Sequence, residues 1–290
     1  MKYLKVLILF FSFTILFQLT TTSVNAAECT IINGEIDETG SSGVKQDCGT
    51  TPVKYEIIVY EAYLCTSEAT IPTTSAVADL SMCSQIFENL DGAVASVVQT
   101  ENIDLIGTRM RPNEGVYTHA YAKIDNVIGI TWSGKIDGSM KSSSGNNNDV
   151  GQFCGTVVGT GNFGNGQQHL NSMICDTSAI TPGKFEETMN SFSDDSNLHV
   201  FEETNIPGNA GASIKAVITT TDGFQSQNNG QSFRMEASMK NATQIIIDES
   251  TKGLTVKFSL VDALHLKEEG TNTDRIQASS GPFISIMTAQ

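Results

Sequence analysis

Six cysteines carry the plainest chemistry in this sequence: Cys29, Cys48, Cys65, Cys83, Cys154 and Cys175. Two chemistries compete for them, disulfide bonding and zinc ligation. Zinc sites are built from Cys-x2-4-Cys pairs, and no such pair occurs. His169 lies between Cys154 and Cys175, but one histidine between two distant cysteines does not make a ligand set. An even number in an exported chain reads as three disulfides. Pairing neighbours (29 with 48, 65 with 83, 154 with 175) closes three loops of about 20 residues. Each would restrict the unfolded chain by roughly 3 kcal/mol.

Other patterns suggest chemistry and then fail on a missing element. Gly159-Thr160-Gly161-Asn162-Phe163-Gly164 matches G-x-G-x-x-G. That motif works by opening a helix whose amides meet a pyrophosphate. Here Asn165-Gly166 follows and no helical run begins. Asn146 to Gly151 resembles a calcium loop, yet the fifth and twelfth positions are Val150 and Val157. Asp194 and Asp195, with Asn197, Glu202 and Glu203 nearby, are the calcium candidates, although clustered carboxylates on a loop are ordinarily just solvated. No cofactor other than calcium is expected. Ser42-x-x-Lys45 fits S-x-x-K without its companion K-T-G, and neither G-x-S-x-G nor H-E-x-x-H occurs. His119, with Tyr117 and Tyr121 two residues to either side, reads as a cross-strand packing row. His169, His199 and His265 have no local partner. No catalytic residue is assigned.

The chain opens on Lys2 and Lys5, an apolar run from Val6 to Phe17, and Val24-Asn25-Ala26. This is expected to be a signal peptide, residues 1–26, cut after Ala26. The run is about 12 residues long, short of the ~20 that span a bilayer, and no later segment qualifies. The protein is therefore expected outside the cytoplasm: periplasmic, at the cell surface or extracellular. Lys and Arg total 17 against 32 Asp and Glu, a formal charge of −15. That sign argues against nucleic acid as a partner. Other surface proteins, or self-association through edge strands, are the partners such a chain would use.

The elements that must position these residues alternate with a period of two, as half-buried strands do. Strands are predicted at 53–63, 94–98, 115–124, 127–132, 154–158, 214–220, 233–238, 244–247, 254–261 and 282–287. Tyr55, Ile57, Val59 and Glu61 should share a face, and the strand at 127–132 should pair back on 115–124 through Asp125-Asn126. The expected core is Tyr55, Ile57, Val59, Val116, Ile124, Ile128, Ile130, Val217, Ile246, Val256 and Phe258, or their pleat partners. The apolar spacing of Ala76, Leu80, Cys83, Phe87 and Leu90 predicts a helix over 75–90. Residues 184–205 read as a short helix plus an acidic loop. Trp132 should be half-exposed at a strand end.

The run Tyr55-x4-Tyr60-x3-Leu64-Cys65-Thr66-Ser67, Cys83, and Gly115-Val116-Tyr117-Thr118-His119 resembles uncharacterised secreted proteins of marine bacteria. The Gly-x-Tyr-Thr start also resembles prealbumin-like (transthyretin-like) domains. The likeness covers residues 50–135 and implies a sandwich outside the cytoplasm, without a transferable reaction. The expected fold is mainly β: an antiparallel β-sandwich, prealbumin-like or Greek-key, with one or two short helices and long polar loops. Residues 27–290 are expected to form one elaborated domain, the alternative being two β-units dividing near 180–212. The expected function is that of a secreted non-catalytic module, structural or adhesive at the cell surface. The alternatives are an extracytoplasmic ligand- or cation-binding protein, which requires a concave site, or a secreted hydrolase.

Overall fold

A computed structural model describes residues 27–40, 43–98, 105–144, 149–163, 171–192, 198–204, 206, 210–269, 273–281 and 283–290. The expected signal segment, Ser42, His169, Asp194 and Asp195 lie outside these residues. The strands in chain order are β1 (Ala27–Glu28), β2 (Ile31–Ile32), β3 (Glu35–Ile36), β4 (Cys48–Thr50), β5 (Lys54–Cys65), β6 (Cys83–Val97) and β7 (Thr108–Arg109). There follow β8 (Gly115–Asp125), β9 (Val127–Thr131), β10 (Ser133–Ser142), β11 (Val150–Thr156), β12 (Gly159–Phe163), β13 (Met173–Asp176) and β14 (Phe185–Met189). The rest are β15 (Val200–Glu203), β16 (Ser213–Thr219), β17 (Arg234–Ile247), β18 (Leu254–Ser259), β19 (Leu264–Glu268), β20 (Arg275–Ser280) and β21 (Ile284–Ala289).

These strands form two large sheets and a ribbon. The first sheet runs β1-β4-β19-β20-β10-β11-β13, with β3 on β10 and β2 on β3. The second runs β12-β14-β9-β5-β8-β17-β16-β15, with β6 on the free edge of β5 and β7 on β6. The ribbon is β18 with β21. Pairing is mainly antiparallel; β1–β4, β3–β10, β10–β20 and β12–β14 are parallel. One buried apolar cluster takes residues from both sheets, including Tyr55, Ile57 and Ile130 from the second and Ile136, Leu266 and Ala278 from the first. Polar bonds cross between the sheets as well. Tyr55 donates to the carbonyl of Gly281, and Ser280 N donates to the buried Glu187 carboxylate.

The three disulfides join sequence neighbours as the spacing predicts: Cys29–Cys48, Cys65–Cys83 and Cys154–Cys175. Two of them link residues directly opposite in antiparallel ladders, β5 with β6 and β11 with β13. They lock register where a slip of one residue would turn every side chain to the wrong face.

Several expectations are corrected. Residues 75–90 are not helical. Thr73 Oγ1 accepts the amides of Ser75 and Ala76 in a tight turn, and β6 starts at Cys83. Cross-strand pairing anchored by Cys65–Cys83 overrides the local apolar spacing, and Leu90 is 70 % exposed. The described residues of 184–205 carry β14 and β15 and no helix. The described helical pieces are two short 3-10 turns, Val44–Gln46 and Asn229–Gln231. Trp132 is buried, 3 % exposed, beneath the strand that continues through Gly134.

Asp125-Asn126 is not a hairpin turn. β8 and β9 run on in the same direction along one edge of β5, with Asn126 as the kink between them. On their outer side β17 lies beside β8 and β14 beside β9. Asn126 is buried at this branch. Its Nδ2 donates to Met189 O at 3.1 Å and to Ser232 O at 3.0 Å, so one amide joins the end of β14 to the approach to β17. Asn126→Ala removes both bonds and strands two buried carbonyls. The expected cost is about 2 kcal/mol, read as a lower urea midpoint with unchanged slope; an unchanged midpoint would contradict the role given to this amide.

Candidate functional site

The site begins with four alanines. Ala62 on β5 lies opposite Ala122 on β8, Ala122 opposite Ala237 on β17, and Ala237 opposite Ala216 on β16. One row of methyl groups thus crosses the middle of the second sheet on its inner face. Its ends are large: Phe87 on β6 faces Ala62, and Phe201 on β15 faces Ala216. The parallel rows are bulkier. Val59, Ile124, Met235 and Ile218 lie on one side, and Leu64, Met239 and Ile214, with Ala120 among them, on the other. Small side chains between large ones leave a trough in the sheet.

Bulges decide that these alanines face inward. Along β5 the buried positions are Tyr55, Ile57 and Val59, then Ala62 and Leu64. The register against both neighbours shifts between Val59 and Glu61, so Tyr60 is an extra residue and the faces exchange. Glu61, expected beside Val59, therefore points to the opposite face. In β6 the partner irregularity contains Asp91-Gly92. Gly92 has φ +88°, and a Cβ there would meet Ile58 Cγ2 at 2.4 Å. In β17 the shift between Lys240 and Ile245 turns Ile245 and Ile247 inward. Ile246 is left 57 % exposed and Val116 45 % exposed, and their pleat partners Ile245, Ile247 and Tyr117 are buried instead.

The first sheet does not fill the trough. Facing it are the β18–β21 ribbon, through Leu254, Val256, Phe258 and Met287, Phe163 at the end of β12, and Phe192 and Leu198 from the segment between β14 and β15. Phe258, Phe283 and Tyr55 stack in tilted contacts, with ring centroids 5.9 and 5.3 Å apart along the chain of three. Phe192 packs on Phe201 at 5.7 Å. Between floor and roof is a cavity of about 1020 Å³. That is at the upper end of the ~300–1,000 Å³ usual for small-molecule sites. From Ile124, opposite Met235, to Gly115, opposite Ile247, the floor runs along most of β8, which at about 3.3 Å per step is roughly 30 Å. Polar side chains line it at its margins: Arg109, Arg111, Thr251 and Lys252 in one region, Asp47, His265 and Lys267 in another.

The opposite face of the same strands carries the ionisable groups. Glu61, Lys123 and Glu236 lie opposite one another, and so do Tyr63, Tyr121 and Ser238. Tyr121 donates to Glu236 at 2.6 Å, Tyr63 donates to Glu61, and Lys123 pairs with Glu61 at 3.0 Å. Ala69, Ile71, Ala78 and Leu80 from the Cys65–Cys83 loop cover this network. Burial raises the Glu236 carboxyl above its usual range, and burial together with Glu236 raises Tyr121. Glu236 is 3 % exposed and Tyr121 fully buried, so the network packs a loop onto the sheet and does not face a substrate.

The residues singled out in sequence are not gathered at the cavity. His119 bonds Thr118 Oγ1 at 2.8 Å on the outer face, its pKa lowered by burial. Tyr117 joins the inner cluster and Tyr121 the outer one, so the Tyr-His-Tyr row is divided. His199 is buried, and among the described histidines only His265 lines the cavity, with Nδ1 3.8 Å from Asp47. Lys45 pairs with Glu38 at 2.6 Å and Asp274 at 2.9 Å, which raises its pKa and keeps it protonated. It is no general base. Gly159–Phe163 is strand β12, parallel to β14, and offers no helix N-terminus. Among the described residues no group of three or more His, Cys, Asp or Glu could hold a metal. No helix among them is long and apolar enough to cross a membrane. The cavity was missed because its signal, an alanine on each of four strands, acquires meaning only once register is known.

Glu236 offers a test of the outer-face account. A carboxyl raised by burial stabilises the fold below the ordinary Glu range, near pH 4.3, and loses that contribution as pH rises through its folded value. Glu236→Gln keeps an acceptor for Tyr121 and cannot ionise. Its melting temperature should gain on the parent's between pH 4 and pH 8; a growing deficit would contradict this sign. In comparisons with known proteins the chain matches no family model, no curated protein and no solved structure.

Proposed function

We propose that this protein is an exported, non-catalytic carrier that holds a small apolar molecule between the alanine row and the β18–β21 ribbon. The observation that carries this reading is the size and lining of the cavity. Four alanines form its floor, Leu254, Val256, Phe258 and Met287 face them, and polar side chains stand at its margins. Apolar wall left against water is unfavourable by roughly 25 cal/mol per Å². An occupant with its own apolar surface removes that wall from water.

Three disulfides fit an oxidising compartment. That supports export of the carrier to the periplasm, the cell surface or the medium. A purely structural surface module would have no use for a lined interior, so we place the carrier reading ahead of it.

The test uses a neutral fluorescent probe, N-phenyl-1-naphthylamine. The parent protein should bind it with enhanced, blue-shifted emission. Ala122→Phe puts a ring into the trough and should weaken binding at least about tenfold while costing less than about 1 kcal/mol. The control is Ala69→Phe, at a buried position in the outer-face cluster, none of whose buried residues lines the cavity. It should destabilise by about 1–3 kcal/mol, as overpacking does. Probe binding unaffected by Ala122→Phe would overturn the carrier reading.

A further inference from the structure

The charges at the cavity margin select the kind of occupant. The chain carries 32 acids and 17 bases, yet the lining reverses that balance. Arg109, Arg111, Lys252 and Lys267 line the cavity, against one carboxylate, Asp47, which lies 3.8 Å from His265. Two of the four cations sit together where the segment after β7 meets the turn between β17 and β18. Arg111 Nη1 and Nη2 donate to the carbonyls of Thr251 and Asp248, which holds the guanidinium flat against the turn that presents Lys252.

The Asp248 carboxylate in the same turn does not neutralise them, and the Gln290 main-chain oxygen is engaged by the amides of Lys252 and Gly253. Asp248 Oδ1 accepts from Ser250 N at 2.9 Å, Ser250 Oγ at 2.6 Å and Thr251 N at 3.1 Å, so it is engaged within its own turn. Among the described residues neither Arg111 nor Lys252 pairs with a carboxylate. Two positive charges thus border an apolar cavity, and a fixed turn holds one of them in place. Resting on the carrier reading, we infer that the natural occupant is an anionic amphiphile: an apolar chain along the alanine row, with a carboxylate, sulfate or phosphate head at Arg111 and Lys252.

The experiment displaces bound N-phenyl-1-naphthylamine with dodecanoate and with dodecanol, which differ in the head group alone. A charge-assisted contact of about 1.5 kcal/mol corresponds to about a tenfold preference for the anion. Dodecanoate should therefore displace the probe at about one-tenth the dodecanol concentration. High salt should raise the dodecanoate midpoint and leave that of dodecanol unchanged. Lys252→Glu, at an exposed position after the turn, should bring the two midpoints together, each read against the variant's own probe affinity. Equal midpoints in the parent, or a preference that survives both salt and Lys252→Glu, would overturn the head-group assignment and leave the carrier reading standing. Failure of the probe to bind the parent would overturn both.

Discussion

Four methyl groups in register are the constraint on which the rest of this structure depends. In a sheet, directly opposite side chains fill one another's space. Where all four are alanine, the face sinks between its bulky neighbouring rows. A second layer could fill such a depression only with long side chains reaching into it. Here the space above the row is lined by a two-stranded ribbon, by phenylalanines and, at one margin, by His265, Lys267, Ser279 and Ser280 of the first sheet, and a cavity remains between them. Protein interiors are packed to crystal-like density, so a gap of this kind marks a place for something else.

The row exists because of irregularities in the strands that carry it. The extra residue at Tyr60 brings Ala62 to the inner face and sends Glu61 to the outer one. The same step gathers the charged groups of the sheet, Glu61, Lys123 and Glu236, on the side where the Cys65–Cys83 loop covers them. One bulge thus segregates an apolar interior from a hydrogen-bonded exterior within the same strands. The kink at Asn126 has a comparable effect at larger scale: it lets one long edge of β5 serve two neighbours in succession and widens the sheet under the cavity.

Local signals in the sequence were legible where local physics decides. Alternation over 54–59 and 115–124 placed the central strands, and the cysteine intervals matched the pairs that form. Signals failed where a distant partner decides. Ala76, Leu80 and Phe87 carry helical spacing, but the Cys83 ladder holds that chain extended. Asp91-Gly92 and Asp125-Asn126 have turn composition, yet each sits at a break within a continuing edge. Trp132 looked like a strand end because β9 stops there, whereas β10 resumes at once and buries the indole. The candidate site was the least legible part. An alanine in a strand is unremarked alone, and the four lie as far apart in sequence as Ala62 and Ala237.

The central claim is that the space above the alanine row is open and apolar in the folded protein. A crystal structure determined under xenon pressure tests it most directly, because xenon orders in dry apolar cavities and not in packed cores. The account predicts xenon density between the Ala62–Ala122–Ala237–Ala216 row and the Phe258 and Phe283 rings, or an adventitiously retained ligand in the same place. A β18–β21 ribbon collapsed onto the alanines, with neither xenon nor ligand between them, would contradict it.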